Sequence, residues 1–117
     1  MEINNKDFQK LNIRVGIIKG VQKHPKTKDF ILLIDTIGAD KQLVADLKGS
    51  YSMKSLIGKQ VVFVQNTEPL IVNGIESIGL LLVTHLKGKK VLVVPEKKVQ
   101  SGIDVSGLNN KEVRFID

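Results

Sequence analysis

The sequence contains no cysteine and no tryptophan, and aromatic residues make up only 4% of it. Without cysteine, disulfides, cysteine-ligated zinc and thiol catalysis are excluded, and an intracellular location is weakly indicated. The few aromatic side chains disfavour a general single-strand binder, because such proteins stack bases on several aromatic platforms.

The chain also lacks any apolar run long enough to cross a membrane. Its first residues, Met1 to Asn5, do not have the basic-then-apolar form of a secretion signal. We therefore expect a cytoplasmic protein with no membrane partner. A length of 117 residues with 42% hydrophobic content predicts one folded domain, residues 1–117.

Acidic residues are outnumbered, and the net charge is +6 with a pI near 9.6. On so small a domain, this excess favours polyanionic partners, which bind by phosphate neutralisation and counterion release. The alternative is a lysine-rich surface that only keeps the protein soluble. Charge alone leaves the two interpretations at about even odds.

The stretch from Leu11 to Pro25 predicts an unusually long first strand. Its apolar residues share one parity, which places them on one face of an extended strand: Leu11, Ile13, Val15, Ile17 and Val21. Glycines within a strand mark bends or bulges, and two occur here, Gly16 and Gly20. A long bent strand can pair with different neighbours along its two halves, as a small closed barrel requires.

The remaining pattern predicts short strands and two short helices. Asn4 or Asn5 caps a first helical turn, from which Phe8 and Leu11 would plug one end of the barrel. A serine-capped second helix is predicted over 52–58. Further strands are predicted at 30–37, 42–47, 59–66, 77–86, 91–94, around 99–105, and at 112–116. Residues 80–83 are apolar on both parities, which predicts burial on both faces.

This order of elements excludes a parallel sheet, because no helix is long enough for a crossover. Five strands with a helix between the third and the fourth are the layout of an OB-fold. The sequence thus predicts an all-β protein, a five-stranded OB-fold Greek-key barrel over about 7–86, with a C-terminal β extension over about 90–117.

Positive indications of catalysis are absent from the sequence. His24 and His85 have no partner at metal-ligand spacing and are interpreted as a polar loop residue and a partly exposed strand residue. No nucleophile elbow, phosphate-cradling glycine loop or paired carboxylates occur. We therefore expect no catalytic residue, no metal, no cofactor and no enzyme activity.

Lysines cluster at the end of the first strand and in the loop that follows: Lys19, Lys23, Lys26 and Lys28. In OB-folds, this loop and the loop before the last strand flank the ligand face. Asn66, Asn73 and Ser77 lie around the second loop and offer neutral groups of the kind that contact sugars and phosphates. The alternative, weighed equally, is an ordinary Asn73-Gly74 turn and lysines that only solubilise.

The run Asp7-Phe8-x-Lys10-Leu11-Asn12-Ile13-Arg14-Val15-Gly16-x-Ile18, followed by His24-Pro25, resembles the opening of the tRNA-binding domain family. That family includes the C-terminal domain of methionyl-tRNA synthetases, its free-standing beta-subunit relatives, and CsaA-type chaperones. The resemblance continues to Val105 through Tyr51, 56–59, Val61, Val62, Asn66, Pro69, Gly74, Ser77, Gly79, Pro95, Val99 and Gly102.

The resemblance implies an OB-fold homodimer that binds tRNA by its structure rather than its sequence, without catalysis, as an accessory to methionyl-tRNA synthetase. It implies tRNA contacts from Arg14, Lys23, Lys26, Lys28, Asn66 and Ser77. It also implies a dimer contact formed after the barrel, which we assign to Leu80, Leu82, Val91, Val93 and Val105.

Several positions depart from the family pattern. A lysine usual after His-Pro is shifted by one place, and two carboxylates, Asp46 and Glu68, stand where the family would face phosphate. Each exposed like-charge approach would cost on the order of 1 kcal/mol. These carboxylates favour the alternative function, a protein-binding module such as a CsaA-like chaperone or a synthetase-complex scaffold.

Overall fold

The computed structural model describes residues 1–108, and the predicted strand at 112–116 lies outside them. The helices of this range are α1 Asn5–Gln9 and α2 Met53–Leu56. The strands are β1 Ile13–Lys23, β2 Phe30–Asp35, β3 Asp40–Ala45, β4 Gln60–Val64, β5 Leu70–Val72, β6 Ile75–Ser77, β7 Leu80–Leu81, β8 Val83–Leu86, β9 Lys89–Leu92 and β10 Asp104–Val105.

The main sheet is organised around β1. Residues 13–17 of β1 pair antiparallel with β4, and residues 17–23 pair antiparallel with β2. The register with β2 shifts between Ile18 and Gly20, which places a β-bulge at Lys19. The prediction of a long, bent first strand with different neighbours along its two halves is confirmed.

The apolar residues of β1 do not share one face, contrary to the parity prediction. Of the residues predicted to share a face, Ile13 and Val15 pack on the outside of the barrel, whereas Val21, which follows the bulge, packs against its interior. The physical reason is the bulge, because one extra residue in a strand moves the following side chains to the opposite face.

Two apolar cores result from this arrangement. The barrel core holds Ile18, Phe30, Leu32, Ile34, Leu43, Leu47, Leu56, Val61, Phe63 and Leu92. The outer core holds Ile13, Val15, Val62 and Val64, with Phe8, Leu82, Val99 and Val105 packed against it. Strand β4 therefore serves both cores: Val61 and Phe63 face the barrel interior, and Val62 and Val64 face the outer core.

The sheet runs in the order β3-β2-β1-β4-β7 and curls into a half-barrel. On the open side of the half-barrel, β3 is hydrogen-bonded to β6 and to the residue that follows it. There the amide of Ile78 donates to the carbonyl of Gln42 over 2.9 Å, and Gln42 Nε2 donates to the carbonyl of Glu76 over 2.8 Å.

The segment 77–86 is not one continuous strand, contrary to the prediction. The chain instead forms β6, β7 and β8, with a break at Gly79, whose φ is 92°. A Cβ at this position would lie 2.7 Å from the carbonyl oxygen of Val64, so the close approach requires glycine. Leu80 is exposed and residues 81–83 are half-buried, so residues 1–108 of a single chain do not cover both faces, and the predicted burial stays a prediction.

Both predicted helix caps are confirmed. Asn4 accepts from the amide of Asp7 over 2.8 Å, and Ser52 accepts from the amide of Ser55 over 3.2 Å. The predicted barrel plug is wrong, because Phe8 packs on the outer core and Leu11 is exposed. Within residues 1–108, no helix is long and apolar enough to cross a membrane.

Candidate nucleic-acid interface

Residues 23–29, here called the basic loop, connect β1 to β2. Lys23, Lys26 and Lys28 are exposed, and none forms an ion pair within residues 1–108. Lys19 differs, because its Nζ lies 2.7 Å from Asp40 Oδ2, and this hydrogen bond raises the lysine pKa above its ordinary value. The loop therefore presents three exposed lysines outside any ion pair of residues 1–108, and its one carboxylate, Asp29, is bonded to Thr27.

His24 holds the basic loop in place. The ring is only 2% exposed, and its Nδ1 accepts from the amides of Lys26 and Thr27 over 2.9 and 3.2 Å. An accepting Nδ1 carries no proton, so Nε2 carries the ring proton and donates to the carbonyl of Val72 over 2.8 Å. The sequence predicted a polar loop residue; it did not predict this burial.

Val72 belongs to a hairpin formed by β5 and β6. The two-residue turn at Asn73 and Gly74 has φ angles of 45° and 86°, the left-handed pair that tight hairpins use. The sequence predicted the turn but missed the flanking strands, which are only three residues each. Leu70 and Ile71 project from this hairpin as exposed apolar side chains.

Ser77 and Asn66 both bond to distant backbone groups of the chain. Ser77 is buried, and its Oγ accepts from the amide of Val44 over 2.9 Å. Asn66 is exposed; its Oδ1 accepts from the amide of Asn12 and its Nδ2 donates to the carbonyl of Lys10, each over 2.7 Å. Their contact with RNA stays a prediction, and the structure shows each as a link between segments of the fold.

Arg14 lies at the opposite end of β1 from the basic loop. Nine residues separate it from Lys23, or roughly 30 Å along an extended strand. Its guanidinium pairs with Asp104, donates to the carbonyl of Gly102 over 3.1 Å and contacts Asn12 Oδ1 over 2.7 Å. The structure therefore brings the three lysines together and places Arg14 elsewhere.

Arg14 and Asn66 share a groove of about 720 Å³ with α1 and residues 104–108. Arg14 faces a carboxylate there, so its charge is opposed inside the chain. The six predicted contact residues thus divide into a cationic loop, this groove, and the buried Ser77.

The carboxylate of Asp46 is already paired. Lys90 Nζ lies 2.9 Å from Asp46 Oδ2 and donates to the Asp46 carbonyl over 2.7 Å. The partners are 44 residues apart, so no local pattern in the sequence could reveal the pair. Glu68 is exposed and forms no ion pair within the described part of the chain. Glu68 therefore remains an unpaired acid near the hairpin within residues 1–108, as does the exposed Glu76 on β6 itself.

A second cleft, of about 270 Å³, opens between the end of β3 and the chain from β5 to β8. Its walls are mostly apolar, with Ser77 and the Asp46–Lys90 pair among the polar groups. Because Val72 lines the cleft and also accepts from His24, the basic loop lies at its rim. In residues 1–108, no group of three acidic or histidine side chains could hold a metal ion.

The five residues predicted for a dimer contact have different surroundings. Leu82 and Val105 pack on the outer core of their own chain. Val91 is half-buried in the β8–β9 hairpin, while Leu80 and Val93 are 49% and 37% exposed. The dimer contact stays a prediction.

Comparison with known proteins places this geometry in a family context. The family model for a tRNA binding domain matches residues 13–104. The methionine–tRNA ligase of Archaeoglobus fulgidus is 41% identical over 105 residues, which are 89% of this chain and 16% of that enzyme. The chain thus spans about a sixth of that relative.

Two solved structures match nearly the whole described fold. Chaperone CsaA from Bacillus anthracis is 30% identical with a TM-score of 0.81, covering 91% of this chain and 100% of that one. The MetRS related protein from Pyrococcus horikoshii is 30% identical with a TM-score of 0.79, covering 90% and 99%. The predicted OB-like fold is confirmed, and the chain belongs to the tRNA binding domain family.

Proposed function

We propose that this protein binds folded tRNA through the basic loop and has no catalytic activity of its own. The observation that supports this most directly is the three exposed lysines, Lys23, Lys26 and Lys28, held on one loop beside the β5–β6 hairpin. Lysine ammonium groups attract phosphates irrespective of base, so the recognised feature is the path of the tRNA backbone rather than its sequence.

The partner follows from the relatives. A methionine–tRNA ligase carries a segment 41% identical to this chain, so we propose that the protein delivers tRNA to a methionyl-tRNA synthetase. An accessory of this kind raises the effective concentration of tRNA at the enzyme. We also propose that it acts as a homodimer in the cytoplasm.

A salt titration of binding to total tRNA tests the proposal. Affinity, followed by fluorescence anisotropy, is expected to fall steeply with salt, and the double variant Lys26→Glu, Lys28→Glu is expected to abolish binding. Single Lys26→Gln is expected to reduce the slope of log K against log salt by about one.

Lys98→Gln is the matched control. It removes one exposed lysine near the outer core rather than in the basic loop, so the affinity and the slope should stay close to wild type. Equal effects of Lys26→Gln and Lys98→Gln would show that binding depends on net charge alone. Wild-type binding that is absent or insensitive to salt would contradict the proposal.

A chaperone role is the second candidate, favoured by the solved structure of chaperone CsaA and by two exposed apolar side chains, Leu70 and Ile71. Its partner would be unfolded polypeptide, bound through apolar contact. Salt-insensitive retention of an unfolded test protein, lost in Ile71→Ser, would support this role. Pairing of Asp46 with Lys90 removes one of the two carboxylates that favoured it.

A further inference from the structure

We infer that His24 is a positioning residue that joins the basic loop and the β5–β6 hairpin into one preformed surface for polyanion binding. The inference rests on the proposed function, because it assigns the basic loop as the RNA-contacting element. It concerns a residue whose side chain is 2% exposed and cannot itself reach a phosphate.

One side of the ring orders the loop. Nδ1 accepts from the amides of Lys26 and Thr27, while the amide of His24 donates to the carbonyl of Asp29 over 3.0 Å. Thr27 Oγ1 bridges further, donating to Asp29 Oδ2 over 2.8 Å and accepting from the Asp29 amide over 3.1 Å. The backbone that carries Lys26 and Lys28 is therefore tied at both ends.

The other side of the ring fixes where the loop points. Nε2 donates to the carbonyl of Val72, 48 residues away on β5, over 2.8 Å. The hairpin is itself attached to β3, because Ser77 Oγ accepts from the amide of Val44. Loop, hairpin and barrel wall thus form a chain of hydrogen bonds in which His24 links two segments that are 48 residues apart in the sequence.

Preorganisation is the functional consequence. A mobile loop would lose backbone and side-chain entropy when it orders against RNA, and that loss subtracts from affinity. A loop held by His24 has already lost this freedom on folding. Removing the link should therefore weaken tRNA binding without changing how many phosphates the lysines neutralise.

Two substitutions, each of which keeps a polar atom near one of the two ring nitrogens, separate the two sides of the ring. Asparagine places its Oδ1 near the position of Nδ1, so His24→Asn keeps the acceptor for the loop amides and loses the donor to Val72. Glutamine places its Nε2 near that of the imidazole, so His24→Gln keeps the bond to Val72 and loses the acceptor. His85→Asn, at an exposed position on β8, is the matched control.

For His24→Asn, we expect total-tRNA affinity to fall about tenfold with an unchanged salt slope, and His85→Asn to match wild type. His24→Gln should speed hydrogen exchange at the amides of Lys26 and Thr27. Circular dichroism and melting curves verify that both variants are folded at the temperature of the binding assay. A lower melting temperature with wild-type affinity would reduce His24 to a purely structural role and overturn the inference.

The exchange measurement does not depend on RNA. If wild-type protein fails to bind tRNA, the proposed function fails, yet slow exchange at Lys26 and Thr27 would still support the link made by His24. If wild-type protein binds and His24→Asn binds equally well, the inference alone is overturned. Fast exchange at both amides in wild-type protein would also overturn it.

Discussion

Gly16 lies where the backbone of β1 packs directly against buried side chains of the barrel core. A Cβ at this position would sit 2.3 Å from Ile34 Cγ2 and 3.2 Å from Phe63 Cε1, two fully buried side chains. Gly16→Ala therefore forces the core to repack, and we expect it to lower the free energy of unfolding by about 1–3 kcal/mol. Urea denaturation monitored by circular dichroism measures the loss.

Gly20 gives a control four residues further along the same strand. Its nearest neighbour would be Leu33 Cβ at 3.6 Å, an ordinary contact, so Gly20→Ala has room for the methyl group. Gly20→Ala should raise the free energy of unfolding by roughly 0.5 kcal/mol, because alanine lowers the conformational entropy of the unfolded chain. Equal destabilisation by both substitutions would mean that β1 rejects any side chain, whatever the local space.

Lys19 offers a prediction about alkaline pH. Its hydrogen bond to Asp40 raises the pKa above the ordinary value of 10.5, so the folded protein holds this proton more tightly than the unfolded chain. The stabilisation is fully present below pH 10.5 and is lost as pH rises through the raised pKa.

The measurement compares wild type with Lys19→Gln. The difference between their urea midpoints should be small, present at pH 8, and vanish at the alkaline end of the titration. The Lys19–Asp40 contact is exposed, so added salt should also reduce the difference between the two midpoints. A difference that grows with pH would contradict the assignment of the bond.

At the scale of elements, the bulge at Lys19 decides that Val21, which follows it on β1, faces the barrel core. Lys19→Gln keeps the extra residue, whereas deletion of Lys19 removes it and moves Val21 to the opposite face. The deletion should therefore unfold at a clearly lower urea concentration than Lys19→Gln. Similar midpoints for the two variants would show that the bulge does not set the register.

Much of the element order could be predicted from sequence because its signals are local. Asn4 and Ser52 are caps within three residues of their partners, and Asn73-Gly74 forms a turn by its own backbone preferences. The break at Gly79 was missed because it depends on Val64, fifteen residues away on a neighbouring strand. Local patterns carry no information about such a close approach.

The same difference between local signals and distant contacts decides which parts of the candidate site could be predicted. The lysine cluster was predicted because its members are neighbours in the chain. Asn66 and Ser77 form hydrogen bonds with backbone groups 33 to 56 residues away. In the sequence, both side chains look available for RNA, but in the fold they already bond to the protein's own backbone. The burial of His24 was not predicted, because a buried loop histidine and an exposed one have the same sequence signature.

At the scale of the molecule, the outer core depends on the extension being held against the barrel. Gln60 does this with one side chain: its Nε2 donates to the carbonyl of Val99 over 2.5 Å, and its Oε1 accepts from the Val99 amide over 3.0 Å. Gln60→Ala leaves both backbone groups unpaired at a half-buried position, at a cost of about 1–3 kcal/mol.

Limited proteolysis measures how far the loss of the Gln60–Val99 hydrogen bonds loosens the extension. Lys97 and Lys98 are exposed just before Val99, and trypsin should cleave there faster in Gln60→Ala than in wild type. Cleavage at Lys54 in α2, away from the extension, serves as the internal reference. Unchanged cleavage at both places would show that the apolar contacts of Val99 and Val105 hold the extension without the amide.

The proposed homodimer is tested at the same scale. Leu80 and Val93 are the predicted contact residues with the most exposed apolar surface in the single chain, so a second copy would have the most to cover there. The double variant Leu80→Lys, Val93→Lys should sediment as a monomer, because unpaired charge is costly in an interface. Ile57→Lys, which places a charge at an exposed position after α2, should leave sedimentation unchanged.

The dimer also changes the expected RNA affinity, because two copies present two basic loops. If both loops engage one tRNA, the second contact becomes intramolecular, and the monomeric variant should lose affinity well beyond twofold and show a shallower salt slope. If only one loop engages, the slope per tRNA stays that of wild type. A wild-type protein that sediments as a monomer at all concentrations would contradict the dimer, and the three lysines of one basic loop would then have to account for the whole salt dependence.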